Sequence, residues 1–186
     1  MKIKYIDLSL QTKKITPELS NIFKEVISSG QFVGGKYIDE FERNMSKYLG
    51  VKYCVALNSG TDALTFAMHS LGIKRGDEVI TPPNSFVAST AAIIHLGAKP
   101  IFVDVLEDQN LDFSKIEKSL TKKTKAIMPV HLTGRPCEMK QIMKIAKKYN
   151  LKVIEDAAQS IGTRYNLKKV GTIGDVGCFS AHPLKN

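Results

Sequence analysis

Lys125-Ala126-Ile127-Met128-Pro129-Val130, then Met139, Ile142, Met143 and Ala146 at helical spacing, then Lys152-Val153-Ile154-Glu155-Asp156: this stretch decides the fold. Two short apolar runs of strand type flank a helix-period pattern. A strand, a helix and a second strand in that order make a crossover, which leaves the two strands parallel. The runs are nearly all apolar rather than alternating, the pattern of strands covered on both faces.

The unit repeats in both directions. Glu78-Val79-Ile80-Thr81 reads as a strand and Pro82-Pro83-Asn84 as a turn, with Ala88, Ala91, Ala92 and His95 as a helix face ending at Gly97. Residues 100–105 read as a strand and 112–120 as a short helix. Nearer the N-terminus, residues 52–57 are rich in β-forming residues. Asn58-Ser59-Gly60-Thr61-Asp62 follows, then Leu64, Ala67, Met68 and Leu71 on one helical face closed by Gly72. Thr16-Pro17 reads as an N-cap with proline at the first helical position, leading into Leu19, Ile22, Phe23 and Val26 and stopped by Gly30. A second helix carries Ile38, Phe41, Met45 and Leu49. Residues 176–180 read as the last strand. The expectation is an α/β protein with a mostly parallel sheet sandwiched by helices.

Composition narrows the class. The 186 residues are 43% hydrophobic and 24% charged, which excludes disorder, collagen and coiled coil and suits one domain. No apolar run approaches the roughly 18 residues of a membrane helix, and the N-terminus alternates charged with apolar residues, unlike a signal peptide. Cys54, Cys137 and Cys178 are odd in number and far apart, which fits a reduced, cytoplasmic protein. The net charge is +9, but the densest basic group (Lys140, Lys144, Lys147, Lys148, Lys152) lies along and just past the outside of a helix, where it reads as a solvated face rather than a nucleic-acid surface. The four histidines show no HExxH spacing and the cysteines no CxxC, so no metal is expected.

Ligands of open parallel sheets bind outside the carboxyl ends of the strands, and four strand ends carry suitable residues. Ser59-Gly60-Thr61-Asp62 joins a strand to a helix N-terminus, where backbone amides could hold a phosphate or Ser59 could simply cap the helix. Phe86, after the Glu78–Thr81 run, could stack on a flat ring or merely pack. Glu155 and Asp156 are neighbours on a strand and point to opposite faces, so they are no acid–base pair. A carboxylate buried there needs a cation or strong donors, and Gln159 can reach the same opening. Lys185, after the last strand, is a candidate to bond a carbonyl covalently if its pKa is lowered, or is simply solvated.

Taken together and in order, residues 58–64, 81–89, 153–159 and 179–185 resemble the DegT/DnrJ/EryC1/StrS family, sugar aminotransferases of the aspartate-aminotransferase fold (fold type I). Residues 30–35, Phe41-Glu42 and 129–134 resemble it too, so the likeness runs along the whole chain. The resemblance implies pyridoxal 5′-phosphate (PLP) as cofactor. It implies that Lys185 is the Schiff-base lysine, that Asp156 pairs with the ring nitrogen, and that Gln159 lies near the ring's 3-oxygen. Phe86 would stack on the ring; Gly60, Thr61 and Ser180 would hold the phosphate. It further implies transfer of an amino group from an amino acid, commonly L-glutamate, to a nucleotide-linked keto-sugar, within a homodimer. Some members are dehydratases with histidine in place of the lysine; Lys185 favours transamination. Members continue past this lysine, so residues 1–186 are expected to be the N-terminal part of the PLP-binding large domain, with the small C-terminal domain absent. On that expectation the chain is inactive alone, and the alternative reading is a non-catalytic α/β module.

Overall fold

A computed structural model describes residues 3–185. The chain divides into two compact units, residues 1–56 and 57–186.

The first unit holds α1 (Ser9–Ser29) and α2 (Lys36–Leu49). Each ends at a glycine with a left-handed backbone, Gly30 and Gly50, as expected where a helix must turn out of its own path. The start of α1 differs from the expectation. The helix begins at Ser9, and Pro17 sits inside it rather than at its first position. Pro17 cannot donate to the carbonyl of Lys13, but that side of the helix is exposed, so water can take up the orphaned oxygen. The hydroxyls of Thr12 and Thr16 bond back to the carbonyls of Leu8 and Thr12, at 2.9 and 2.8 Å. The Thr-Pro pair therefore imitates a start signal within a longer helix.

Residues 52–57, expected as a strand, form none. A strand exists only through a partner's hydrogen bonds, and no described strand pairs with this run. The Ala56 N–H instead donates to the Glu42 carboxylate at 2.8 Å, and Tyr53 and Val55 are exposed.

The second unit is built on a parallel sheet. Its strands are β1 (Glu78–Thr81), β2 (Lys99–Phe102), β3 (Thr124–Ile127), β4 (Lys152–Asp156) and β7 (Val176–Cys178), in the spatial order β2-β1-β3-β4-β7. Every pairing is parallel. Pro100 lies in β2, at the sheet edge, where its missing N–H costs no ladder bond inside the sheet. A two-stranded antiparallel hairpin, β5 (Arg164–Tyr165) with β6 (Lys168–Lys169), stands apart from the sheet.

Strand alternation sorts the core into two layers. Val79, Ala126, Met128 and Ile154 pack with Leu64, Ala67 and Met68 of α3 (Gly60–Ser70) and with Ala92 and Ile93 of α4 (Val87–His95). Ile80, Ile127 and Val153 face the other way, against Ile116 of α5 (Phe113–Ile116) and Met139, Ile142, Ile145 and Ala146 of α6 (Met139–Tyr149). The sandwich expected from the apolar runs is therefore present. On α4 the buried residues are Ser89, Ala92 and Ile93, while His95 is exposed. That helix is apolar almost all round, so its spacing alone could not say which side faces inward. Lys140, Lys144, Lys147 and Lys148 line the exposed side of α6, and Lys148 pairs with Glu117 at 2.9 Å. No described helix is long and apolar enough to cross a membrane.

Candidate active site

The strand alternation that sorts the core also aims two carboxylates. Asp156 shares the parity of Ile154 and points to the α3/α4 layer; Glu155 shares that of Val153 and points to the α6 layer. The sequence expectation that they serve different faces holds.

Asp156 is 4% exposed at the carboxyl end of β4. Its Oδ2 accepts the Ser89 hydroxyl at 2.7 Å and its Oδ1 the Ala158 N–H at 3.2 Å. Burial raises its pKa; the bonds from Ser89 and Ala158 and the charge of Lys185 work against that rise. A carboxylate has about four acceptor sites, so the two bonds leave room for one more strong donor or cation.

Glu155 is fully buried and fully engaged. Its two oxygens accept the N–H groups of Gly171, Ile173 and Gly174 at 2.8, 2.7 and 2.6 Å, and His131 Nε2 lies 3.0 Å from Oε2. The other ring nitrogen, Nδ1, accepts the Cys137 N–H at 3.0 Å, so the proton on Nε2 is the one that faces Glu155. Burial pushes Glu155 up, but the His131 bond and the backbone donors outweigh it and its pKa is lowered. The carboxylate thus ties the 171–174 segment to the sheet, just ahead of β7. Gly171 has φ +79°, and a Cβ there would collide with the Phe179 ring, so the tie depends on glycine.

The end of β7 leads to Ser180 and Lys185. Ser180 meets the start of α3: a Cβ built on Gly60 would lie 3.3 Å from Ser180 Cβ and 3.6 Å from its Oγ. Gly60 and Thr61 open α3, so their N–H groups have no acceptor within the helix. Ser59 caps the helix by accepting the Asp62 N–H at 3.1 Å. Both readings of this turn therefore coexist, a capped helix beside a cradle of free amides. Lys185 Nζ lies 5.0 Å from the centroid of the Phe86 ring, and Phe86 is 61% exposed. Gln159 Oε1 accepts the Thr133 N–H at 3.0 Å, which leaves the Nε2 end of the amide as its donor.

The donor set fits PLP: a buried carboxylate with acceptor capacity to spare, helix-start amides beside a serine hydroxyl, an exposed aromatic face and a lysine over it. Two participants carried no role in the sequence reading. Ser89 is a polar residue on the buried face of α4, a signal hidden by the ambiguous period of that helix. His131 serves Glu155 through the fold rather than through any motif spacing. Near the site, burial together with Asp156 and Glu155 pushes the Cys178 thiol up to about 12, so it is no competing nucleophile.

A parallel sheet with this donor set at its carboxyl edge is an α/β domain with groups suited to PLP. The chain belongs to the DegT/DnrJ/EryC1/StrS aminotransferase family, whose profile matches residues 13–186. Aminotransferases of this family use PLP. It is 45% identical over 179 residues to dTDP-3-amino-3,6-dideoxy-alpha-D-galactopyranose transaminase of Aneurinibacillus thermoaerophilus, covering 96% of this chain and 49% of that protein. It is 42% identical over 178 residues to 3-oxo-glucose-6-phosphate:glutamate aminotransferase of Bacillus subtilis, covering 95% and 40% respectively. The crystal structure of a DegT/DnrJ/EryC1/StrS aminotransferase from Brucella abortus superposes with a TM-score of 0.91 at 34% identity, over 98% of this chain and 51% of that one. The chain spans about half the length of the curated relatives it matches.

Proposed function

We propose that the whole protein is a PLP-dependent sugar aminotransferase, moving an amino group from an amino acid, L-glutamate in the first instance, to a nucleotide-linked keto-sugar. On this reading residues 1–186 are the N-terminal part of the large PLP-binding domain, and the site is completed by the rest of the protein within a homodimer. The observation that carries it is the pairing of Asp156, buried with acceptor capacity left, with Lys185 over the Phe86 face, in a chain of this family. The relatives' names support the two substrates separately: one is a dTDP-sugar transaminase, the other a glutamate aminotransferase acting on a sugar phosphate.

When bound, PLP supplies an electron sink for the pair left on a substrate carbon as its proton departs. The residues of this chain do the rest. Asp156, ionised, would hold a proton on the ring nitrogen. Gly60, Thr61 and Ser180 would bind the phosphate, Phe86 would stack on the ring, and the Gln159 amide, held by Thr133, would lie near the ring's 3-oxygen. The Lys185 amine would hold the cofactor's carbonyl carbon and, when free, would serve as the base that moves a proton at the substrate carbon.

The test is direct. The purified whole protein is mixed with PLP, reduced with borohydride and digested, and the adduct is located by peptide mass. One adduct on Lys185, absent from Lys185→Ala, is expected. Labelling spread over other lysines of the whole protein, or none, would overturn the site.

A further inference from the structure

Asp156 does not wait for its partner alone. The buried Ser89 hydroxyl bonds its Oδ2 at 2.7 Å, and Ser85 Oγ lies 2.8 Å from Ser89 Oγ. Ser85 belongs to the turn after β1, directly before Phe86, and Ser89 to the first turn of α4. Each hydroxyl has one proton to give. An ionised carboxylate only accepts, so Ser89 spends its proton on Asp156, and Ser89 Oγ then accepts from Ser85. The direction of the chain is therefore Ser85 to Ser89 to Asp156. It can reverse only if Asp156 takes up a proton and becomes the donor. Ala158 N–H holds the other oxygen, so the carboxylate plane is pinned from two sides.

We propose that Ser89, oriented by Ser85, is a positioning residue that keeps Asp156 ionised and aimed at the place of the cofactor's ring nitrogen before the cofactor arrives. The proposal rests on the reading of Asp156 as the ring-nitrogen partner. It answers a physical difficulty at this site, because burial works against a charged carboxylate until a cation is present. Other titratable groups around Asp156 do not replace the hydroxyl. His131, after β3, is committed to Glu155 and Cys137; Cys178, across on β7, is a neutral thiol; Glu155 is turned to the opposite face. Lys185 acts from a distance in the unloaded chain and is to be used by the cofactor.

The experiment follows the carboxyl carbon of Asp156 by 13C NMR against pH in the whole protein freed of PLP, with Asp156→Asn identifying the resonance. A PLP dissociation constant is measured on the same proteins. Ser89→Ala is expected to raise the titration midpoint of Asp156 by about one pH unit and to weaken PLP binding about tenfold, the scale of one charge-assisted hydrogen bond. Ser89→Thr, which keeps the hydroxyl, restores both, and Ser85→Ala gives a smaller change of the same sign. A midpoint unmoved in Ser89→Ala, in a whole protein that binds PLP, would overturn the relay alone. A wild-type whole protein that binds no PLP would overturn the cofactor reading and the relay's purpose with it.

Discussion

At the scale of single residues, the site is made of pairs whose members are far apart in sequence. Gly60 and Ser180 are the clearest, since a Cβ on Gly60 would press on the Ser180 side chain, 3.3 Å from its Cβ. Gly60 does not need a positive φ, so Gly60→Ala should leave the fold intact, with melting shifted by less than about 1 kcal/mol of stability as helix preference and crowding offset. The same substitution narrows the phosphate cradle. Equilibrium dialysis should show PLP binding weakened about tenfold, the size of about one lost hydrogen bond. Unchanged binding would remove Gly60 from the site. The neighbouring carboxylates make a second residue-scale contrast. Glu155 has a lowered pKa, so its contribution is complete above about 4.5 and is lost as pH falls through its folded value. Asp156 has a raised pKa, so in the unloaded chain its contribution runs the other way, and stability falls as pH rises from 3.8 through its folded value. Urea unfolding across pH 3–7 should therefore show Glu155→Gln losing about 3 kcal/mol at neutral pH, because an amide NH2 is set against backbone donors. Asp156→Asn should lose far less there, or gain.

At the scale of elements, the loop before β7 and the run 52–57 behave oppositely for one reason, the presence or absence of a hydrogen-bonding partner. The 171–174 loop has no regular structure, yet three of its N–H groups end on Glu155. Residues 52–57 have strand-forming side chains and no strand. Hydrogen exchange should find Gly171, Ile173 and Gly174 protected to the level of β4. Residues 52–57 should exchange fast except for Ala56, whose N–H is held by Glu42. Protection along the whole of 52–57 would show a pairing partner and refute this account. The elements legible in the sequence carry a local signal: helical spacing in α2, α3 and α6, and short apolar runs of strand type in β1 and β4. Two others carry a weaker one: α4 is apolar almost all round, and α1 contains a proline that imitates a start.

At the scale of the whole molecule, the first unit leaves apolar surface in water. Leu19, Phe23 and Ile27, four residues apart on α1, are 51, 65 and 52% exposed, and α1 buries no residue at all. Such a stripe on a helix marks association rather than a free surface. Sedimentation of the chain should show reversible, concentration-dependent growth beyond 20.6 kDa, abolished by Leu19→Lys with Phe23→Lys. A monomer at high concentration would count against assembly through this helix. The sheet of the second unit is independent of that outcome, since both of its core layers close within residues 57–186.

Local sequence carries the parallel α/β architecture, the three strand ends that bear Phe86, Asp156 and Lys185, and the ordered motifs that mark the family. Those properties are written in local periodicity and in residue types at set spacings, which a chain carries whether or not it is folded. The turn at 59–62, expected after a strand, follows a run that pairs with no described strand. Local sequence also places Glu155 and Asp156 on opposite faces, because alternation along a strand is local geometry. Only the tertiary structure decided what meets them. Ser89 reaches Asp156 from 67 residues away, Gly171 reaches Glu155 from a loop without a pattern, and Ser180 closes on Gly60 across the sheet edge. Buried polar groups find partners wherever the packed layers bring them, and no spacing along the chain encodes that distance in space.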